Sequence, residues 1–446
     1  MHSAEESHAR WLRLRAPCSS RSTTKRSTVV QKRSELWLTR GEVGWQKQVW
    51  TYKEVWETAI SCAGNLKAAS EGEGRVAVCV DEGPLLPLVE LGVLLAGMCI
   101  VPIDPCEPAG RFCSVVMDSE PTVIVAKDSA TRSLIQQHLA EVVDLKLPKA
   151  CHVVVAQELL QLEPKWTWSE VPGAAISHIF FTSGSTGRPK GCVVSHGALR
   201  SYCLAKTATY GVHETSVILV ASAHTFDPSL GDFMSTWAAG GVVALGARRD
   251  LFQHLGLLLQ QSEATHLLCT PSLFATLGKG FSAMHLEMLA EALPSLRSVA
   301  LGGEPMPRMI LEAWAGHEAL TLVNTYGVTE CCVYNAFRLM HSEDLPSLVG
   351  LPLPGNQLLL LPQDQDAGSL QHDLSHCVEG LEGELIIGGA QVGEGYLNRK
   401  ELTARRVGRA PELLWLLVMY SMALPLGRFK VPANGKISFS HLDAAL

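Results

Sequence analysis

Residues 179–191 read IFFTSGSTGRPKG, an apolar run that passes into a loop of short hydroxyls and glycines and ends on a lysine. Thr182, Ser183, Ser185 and Thr186 bring hydroxyls, Gly184, Gly187 and Gly191 bring backbone freedom, and Lys190 brings a cation, all within ten residues. Such a composition wraps backbone N–H groups and hydroxyls around phosphate oxygens with a positive charge beside them. The usual P-loop needs Gly-Lys-Ser/Thr leading straight into a helix. Here Lys190 is followed by Gly191, Cys192, Val193 and Val194. Pro189 and Gly191 oppose an immediate helix, so the loop is expected to join two strands. On composition alone, a flexible surface loop satisfies the same pattern.

Outward from this loop, helical spacing alternates with short β-branched runs. Residues 50–66 and 85–97 carry apolar positions at helical intervals, and 75–80, 99–103, 217–222, 266–270 and 296–304 read as short buried strands. The alternation implies an α/β fold of β-sheets flanked by helices. Ser195 is placed to cap a helix beginning near His196. The apolar run Leu85–Ile103 contains Pro87, Glu90, Gly92, Gly97 and Pro102, so it reads as a core helix running into a strand and not as a membrane span.

At 446 residues with 47% hydrophobic and 18% charged residues, the chain has the balance of a globular enzyme with room for two or three domains. A net charge of -7 argues against nucleic acid as the main partner. Its 13 cysteines include no CxxC pair. This disfavours a disulfide framework or zinc site and points to a reducing, cytoplasmic setting. The adjacent Cys331 and Cys332 read as packing residues. Residues 1–44 form a basic tail, with Arg10, Arg13, Arg15, Arg21, Lys25, Arg26, Lys32 and Arg33 among Ser and Thr. That pattern fits a disordered tail, or a transit-like segment directing organelle import.

Three further stretches carry candidate chemistry. Residues 224–233, HTFDPSLGDF, place Asp227 before Pro228, which is simple turn chemistry or a buried carboxylate that needs a cation. Residues 296–304, LRSVALGGE, end a strand on Gly302 and Gly303, either a tight turn or a close approach to something flat. Residues 324–330, NTYGVTE, combine an aromatic face suited to a base with a carboxylate suited to magnesium.

Together TSGSTGRPKG, FDPS and NTYGVTE resemble the signatures of the adenylate-forming (AMP-dependent synthetase/ligase) superfamily, with FDPS matching the branch that forms the amino-acid adenylation domains of nonribosomal peptide synthetases. The residues WTYKEV and VPIDP with Arg111 resemble its early structural motifs. The resemblance implies ATP and Mg²⁺ as cofactors. It assigns Thr182, Ser183, Gly184, Ser185, Thr186, Gly187 and Lys190 to the phosphates, and Gly302, Gly303, Glu304, Asn324, Tyr326 and Gly327 to the adenine side. Thr329 would touch the α-phosphate and Glu330 would hold Mg²⁺. Asp227 would pair with a substrate α-ammonium, a charge that fatty acyl-CoA ligases do not need. Asp227, Pro228, Gly231, Val299, Leu301, Thr325, Val333 and Tyr334 would line the acid pocket, which suits a modest, uncharged amino acid or β-amino acid, or a polar one bonding Thr325 and Tyr334.

Residues 383–406 resemble the element that closes the family's large domain, taken here as residues 45–407. The family pattern continues with a TGD segment that grips the ribose, a hinge and a rotating C-terminal domain. In this sequence residues 411–423 read PELLWLLVMYSMA instead. The tail LPLGRFKVPANGKISFSHLDAAL resembles the last family motif, with Lys436 matching the catalytic lysine. Residues 408–446 are therefore expected to be a remnant of the C-terminal subdomain, with Leu413–Leu426 an exposed apolar patch. The implied reaction is acid activation to an acyl adenylate, with transfer to a pantetheine thiol of a carrier domain or CoA absent or crippled. A nucleotide-binding remnant and an acyl-CoA ligase for a non-amino acid are the alternatives.

Overall fold

The computed structural model describes residues 33–41, 44–70, 74–141, 151–161, 167–183, 188–278, 293–317, 320–362, 383–410 and 413–418. Two large sheets dominate. The first runs β18-β8-β7-β4-β3-β5-β6, formed by β3 (Arg75–Cys79), β4 (Cys99–Pro102), β5 (Val123–Ala126), β6 (His152–Val155), β7 (Ile176–Thr182), β8 (Lys190–Ser195) and β18 (Gly395–Tyr396). The second runs β15-β14-β13-β12-β11-β9-β10-β1-β2. Its strands are β1 (Arg33–Gly41), β2 (Gly44–Thr51), β9 (Val217–Val220), β10 (Val242–Gly246), β11 (His266–Cys269), β12 (Ser298–Leu301), β13 (Thr321–Tyr326), β14 (Ala336–Leu339) and β15 (Leu351–Pro352). The central strands of both are parallel, and β7–β8, β8–β18 and β13–β14 are antiparallel.

Parallel strands covered on both faces read as continuous apolar runs, and β4, β5 and β9–β12 are buried along their whole length. Helices α1 (Tyr52–Ala69), α2 (Leu85–Leu95), α3 (His196–Tyr210) and α4 (Asp227–Ala238) lie between the sheets, since one core cluster joins their apolar residues to Val78 and Ile100 of one sheet and Leu268 and Val323 of the other. The outer face of the nine-stranded sheet packs on α5 (Arg248–Ser262) and α6 (Arg308–Trp314) through Leu255, Leu258, Leu311 and Trp314. The result is a layered α/β architecture with a helical layer shared between two sheets. A further four-stranded sheet, β16 (Asn356–Pro362), β17 (Gly383–Gly389), β20 (Leu413–Val418) and β19 (Val407–Ala410), runs β16-β17-β20-β19.

Cap chemistry sets the helix starts. The Thr51 hydroxyl accepts from Glu54 N–H while the Glu54 carboxylate accepts from Thr51 N–H, so α1 begins at Tyr52 and not at residue 50 as its apolar spacing suggests. Ser195 accepts from Ala198 N at 3.3 Å and starts α3 where expected.

One boundary drawn from composition is corrected. Arg33–Gly41, assigned above to the basic tail, forms β1 and pairs with β10 and β2. Within Leu413–Leu426, expected above to be an exposed apolar patch, Leu413–Val418 forms a strand hydrogen-bonded on both sides, by β17 and β19. Residues 1–32 and 419–446, Lys436 included, lie outside the described residues. Among the described residues no helix is long and apolar enough to cross a membrane.

Candidate active site

The glycine- and hydroxyl-rich stretch does connect two strands: β7 and β8 are antiparallel and Thr182 faces Lys190 across the last rung. Ser183 and Arg188, at the two feet of the loop, are exposed, while Gly184, Ser185, Thr186 and Gly187 lie outside the described residues. Lys190 Nζ stands 5.4 Å from the ring centroid of Tyr396. The hydroxyl of Tyr396 donates to Glu330 Oε1 at 2.8 Å. Lysine, tyrosine and glutamate, from three separate segments, thus form one cluster. Burial, with the Glu330 charge adding to it, pushes the Tyr396 phenol well above its ordinary range, so it is a standing donor.

Glu330 sits in a turn with unusual backbone. Cys332 and Val333 have φ of 56° and 72°, and the left-handed region is an outlier for a β-branched residue. The surroundings impose it. Val333 N–H donates to Asp227 Oδ2 at 3.0 Å, Gln391 Nε2 donates to Cys332 O at 3.1 Å and Tyr334 O at 2.9 Å, and Asn335 Nδ2 donates to Cys331 O at 2.7 Å. Gly393 N–H donates to the Glu330 carbonyl at 2.8 Å. Gly327 lets the chain fold back: a Cβ there would lie 2.2 Å from Val333 O and 2.4 Å from Tyr334 Cα.

Asp227 is the first residue of α4, with Pro228 behind it, and is 6% exposed. Burial pushes its carboxyl up to about 7; the Glu330 charge adds to the rise, and the Val333 N–H and Thr329 hydroxyl oppose it. A carboxyl held near neutrality in a buried position is poised to take a cationic partner. One turn on, Gly231 packs directly against Tyr202 of α3: a Cβ at Gly231 would meet Tyr202 Cε1 at 2.6 Å and Val333 Cγ2 at 3.3 Å. Beneath lies a fully buried ion pair, Lys206 with Asp232, whose second carboxylate oxygen has no protein partner.

Not every residue expected in the acid pocket is on this side. Ala300 packs in the core cluster with Val333 and Tyr334, whereas Val299 and Leu301 pack with Leu267, Phe274 and Trp314 on the opposite face of the sheet. Strand alternation separates them, and this corrects their assignment as pocket lining. The Thr325 hydroxyl donates to Ala336 O at 3.2 Å and lies 2.8 Å from the Tyr210 hydroxyl, so it is held by the protein. Asn324 Nδ2 donates to Leu348 O at 2.7 Å, pinning a loop.

On the adenine side, Gly302 N–H donates to Cys269 O at 3.1 Å. Gly303 has φ of 79°, and exposed Glu304 accepts from Ser272 N–H at 3.2 Å. Tyr326 is half-buried against Cys331, Leu385 and Val392. Cys331 and Cys332 are buried, and burial raises both thiols, which makes them packing residues. Sequence reading missed Tyr396, Gln391, Asn335, Tyr202 and the Lys206–Asp232 pair. The GEGY stretch could have flagged Tyr396; nothing local marks the others.

Among the described residues no three His, Cys, Asp or Glu side chains gather as a metal cluster. Magnesium, however, is commonly held by one or two carboxylates completed by substrate phosphates and water. Glu330, with Oε1 given to Tyr396 and its other oxygen outside that bond, fits that need.

Residues 31–397 match the family model described as AMP-binding enzyme. The chain belongs to the AMP-binding enzyme family. Within the family its relatives include syringomycin synthase SyrB1 of Pseudomonas syringae pv. syringae, 32% identical over 337 residues, covering 72% of this chain and 50% of the relative. Nonribosomal peptide synthetase 8 of Aspergillus fumigatus is 28% identical over 379 residues, covering 84% of this chain. The chain spans only 4% of that synthetase's length. Among solved structures, the NpsA N-terminal subdomain of Klebsiella oxytoca has a TM-score of 0.70 at 20% identity, covering 88% of this chain and 93% of that one. VinN gives 0.69 at 22%, covering 88% and 92%. These likenesses show the fold: that of the adenylate-forming enzymes, as found in nonribosomal peptide synthetase adenylation domains.

Proposed function

We propose that this chain activates a small, uncharged amino acid with ATP, giving an acyl adenylate and pyrophosphate. The observation that carries this reading is the placement of buried Asp227, through Val333, on the same strained turn that presents Glu330. An anionic anchor for an α-ammonium thereby sits beside the machinery for phosphates. Structural neighbours bear on the substrate class: VinN has been solved with L-aspartate, and the four-domain synthetase AB3403 with AMP and glycine.

In the reaction, a substrate carboxylate oxygen bonds to the α-phosphorus, and the phosphorus–oxygen bond to pyrophosphate breaks, the electron pair leaving with it. Asp227 holds the ammonium and so aims the carboxylate. Lys190 and the N–H groups of its loop neutralise phosphate charge, Thr329 hydrogen-bonds the α-phosphate, and Tyr326 and the 302–304 turn hold the base. Glu330 would hold Mg²⁺, which when bound neutralises charge on the phosphates. Lys436 is proposed to bridge carboxylate and phosphate, and a pantetheine thiol to be the acceptor of the acyl group.

Pyrophosphate exchange across the amino acids tests this reading. Exchange is expected with small side chains and to fall from alanine to leucine to phenylalanine, because Tyr202 fills the space that Gly231 leaves open. Tyr202→Ala should shift the preference towards leucine; equal rates for all sizes in the wild type would remove the size limit. A second reading, nucleotide binding without turnover, is favoured by one feature: residues 411–423 read PELLWLLVMYSMA, without a TGD, where the family pattern carries its ribose-gripping segment. ATP binding without amino-acid-dependent exchange would select it.

A further inference from the structure

Tyr396 ties together the two charged side chains of the site. Its hydroxyl donates to Glu330 Oε1 at 2.8 Å and its ring lies 5.4 Å from Lys190 Nζ, within range of a cation–π contact. The ring is fixed from behind: Tyr396 pairs with Cys192 across β18 and β8, and its N–H donates to Thr403 Oγ1 at 2.9 Å. The backbone of the same segment also grips the glutamate, since Gly393 N–H donates to Glu330 O at 2.8 Å.

A phenol has one proton to give. Donated to Oε1, it holds the carboxylate in one rotamer and keeps the second oxygen clear for a hard cation. Free, a glutamate side chain would lose up to about 2 kcal/mol of rotamer entropy on binding. The ring thus touches the cation while its hydroxyl holds the anion. Among the described residues, Lys190 and Glu330 form no ion pair with one another. Lys190 is thereby left to phosphate and Glu330 to the metal.

We propose that Tyr396 is a positioning residue that orients Glu330 for a divalent cation and keeps Lys190 from pairing with it. This rests on the proposed function, in which Glu330 holds Mg²⁺. The test is calorimetric titration of the full chain with ATP, in subsaturating MgCl₂, in excess MgCl₂ and in EDTA, for wild type, Tyr396→Phe and Glu330→Gln. Outer-shell partners of metal ligands are worth about 10–100-fold in metal affinity. Tyr396→Phe should therefore weaken ATP binding about 10-fold in subsaturating magnesium, recover in excess, and leave binding in EDTA within about 2-fold. Glu330→Gln should abolish the magnesium-dependent gain. If Glu330→Gln loses that gain and Tyr396→Phe keeps it in full in subsaturating magnesium, Tyr396 is packing only and the proposal fails while the function stands. If Glu330→Gln keeps the gain, the metal role of Glu330 falls and the proposal with it. Loss of binding by Tyr396→Phe equally in magnesium and EDTA also overturns it, since that is the mark of a structural defect.

Discussion

Asp227→Asn is expected to reduce kcat/KM for amino-acid activation by about 10²–10³-fold, because losing one partner of a buried, hydrogen-bonded charge pair costs about 2–5 kcal/mol and each 1.36 kcal/mol is tenfold. Asparagine keeps an oxygen that can accept from Val333 N–H, so the turn carrying Glu330 should survive. The des-amino acid is the control: it has no ammonium, and its rate should not fall in the variant. Equal losses for both substrates would mean that Asp227 supports the turn and does not read the ammonium.

The pH dependence has a definite sign. With its carboxyl raised to about 7, Asp227 is protonated in the free protein below neutrality. Amino-acid affinity should therefore increase as pH rises through about 7. Stability moves the other way: a carboxyl raised on folding binds a proton that the unfolded chain releases, so its contribution is lost as pH rises from the ordinary carboxylate range to about 7. Thermal unfolding of the free protein should weaken over that window, the weakening should shrink with bound amino acid, and Asp227→Asn should lack it. A wild-type profile indistinguishable from that of the variant would show that the carboxyl does not titrate there.

Lys206→Met is expected to cost about 3–5 kcal/mol of unfolding free energy, the usual penalty for leaving one member of a buried ion pair without its partner. Lys206 and Asp232 are 2% and 0% exposed, on neighbouring helices between the two sheets. The double change Lys206→Met, Asp232→Leu should recover most of the loss, since a buried pair replaced by apolar side chains of similar volume is often neutral or better. Urea denaturation of the two singles and the double closes the cycle. A double variant as unstable as the sum of its singles would mean that the two side chains contribute independently.

How much of this could be read along the chain depended on the range of the interaction. The strand–loop–strand at Thr182–Lys190 was legible because glycine and proline punctuate locally, and the α3 start was legible because a serine cap acts over three residues. The run Arg33–Gly41 was not, because its basic, polar surroundings disguise a strand whose partner, β10, lies some 200 residues away. The pairing of Leu413–Val418 with β17 was hidden because an apolar run such as LLWLLV does not name its partner strand.

By itself the sequence determined the alternating α/β character, the phosphate-type loop, the carboxylate Asp227 and the NTYGVTE turn, since each rests on residue chemistry at short spacing. The tertiary structure alone decided that Ala300 and not Val299 or Leu301 faces Asp227's side of the sheet, because facing depends on which side the neighbouring helices cover. It alone joined Tyr396 to Glu330 across 66 residues, and Lys206 to Asp232 across 26. Hydrogen bonds and ion pairs act over a few ångströms of space, and only the folded chain brings such distant positions within that reach.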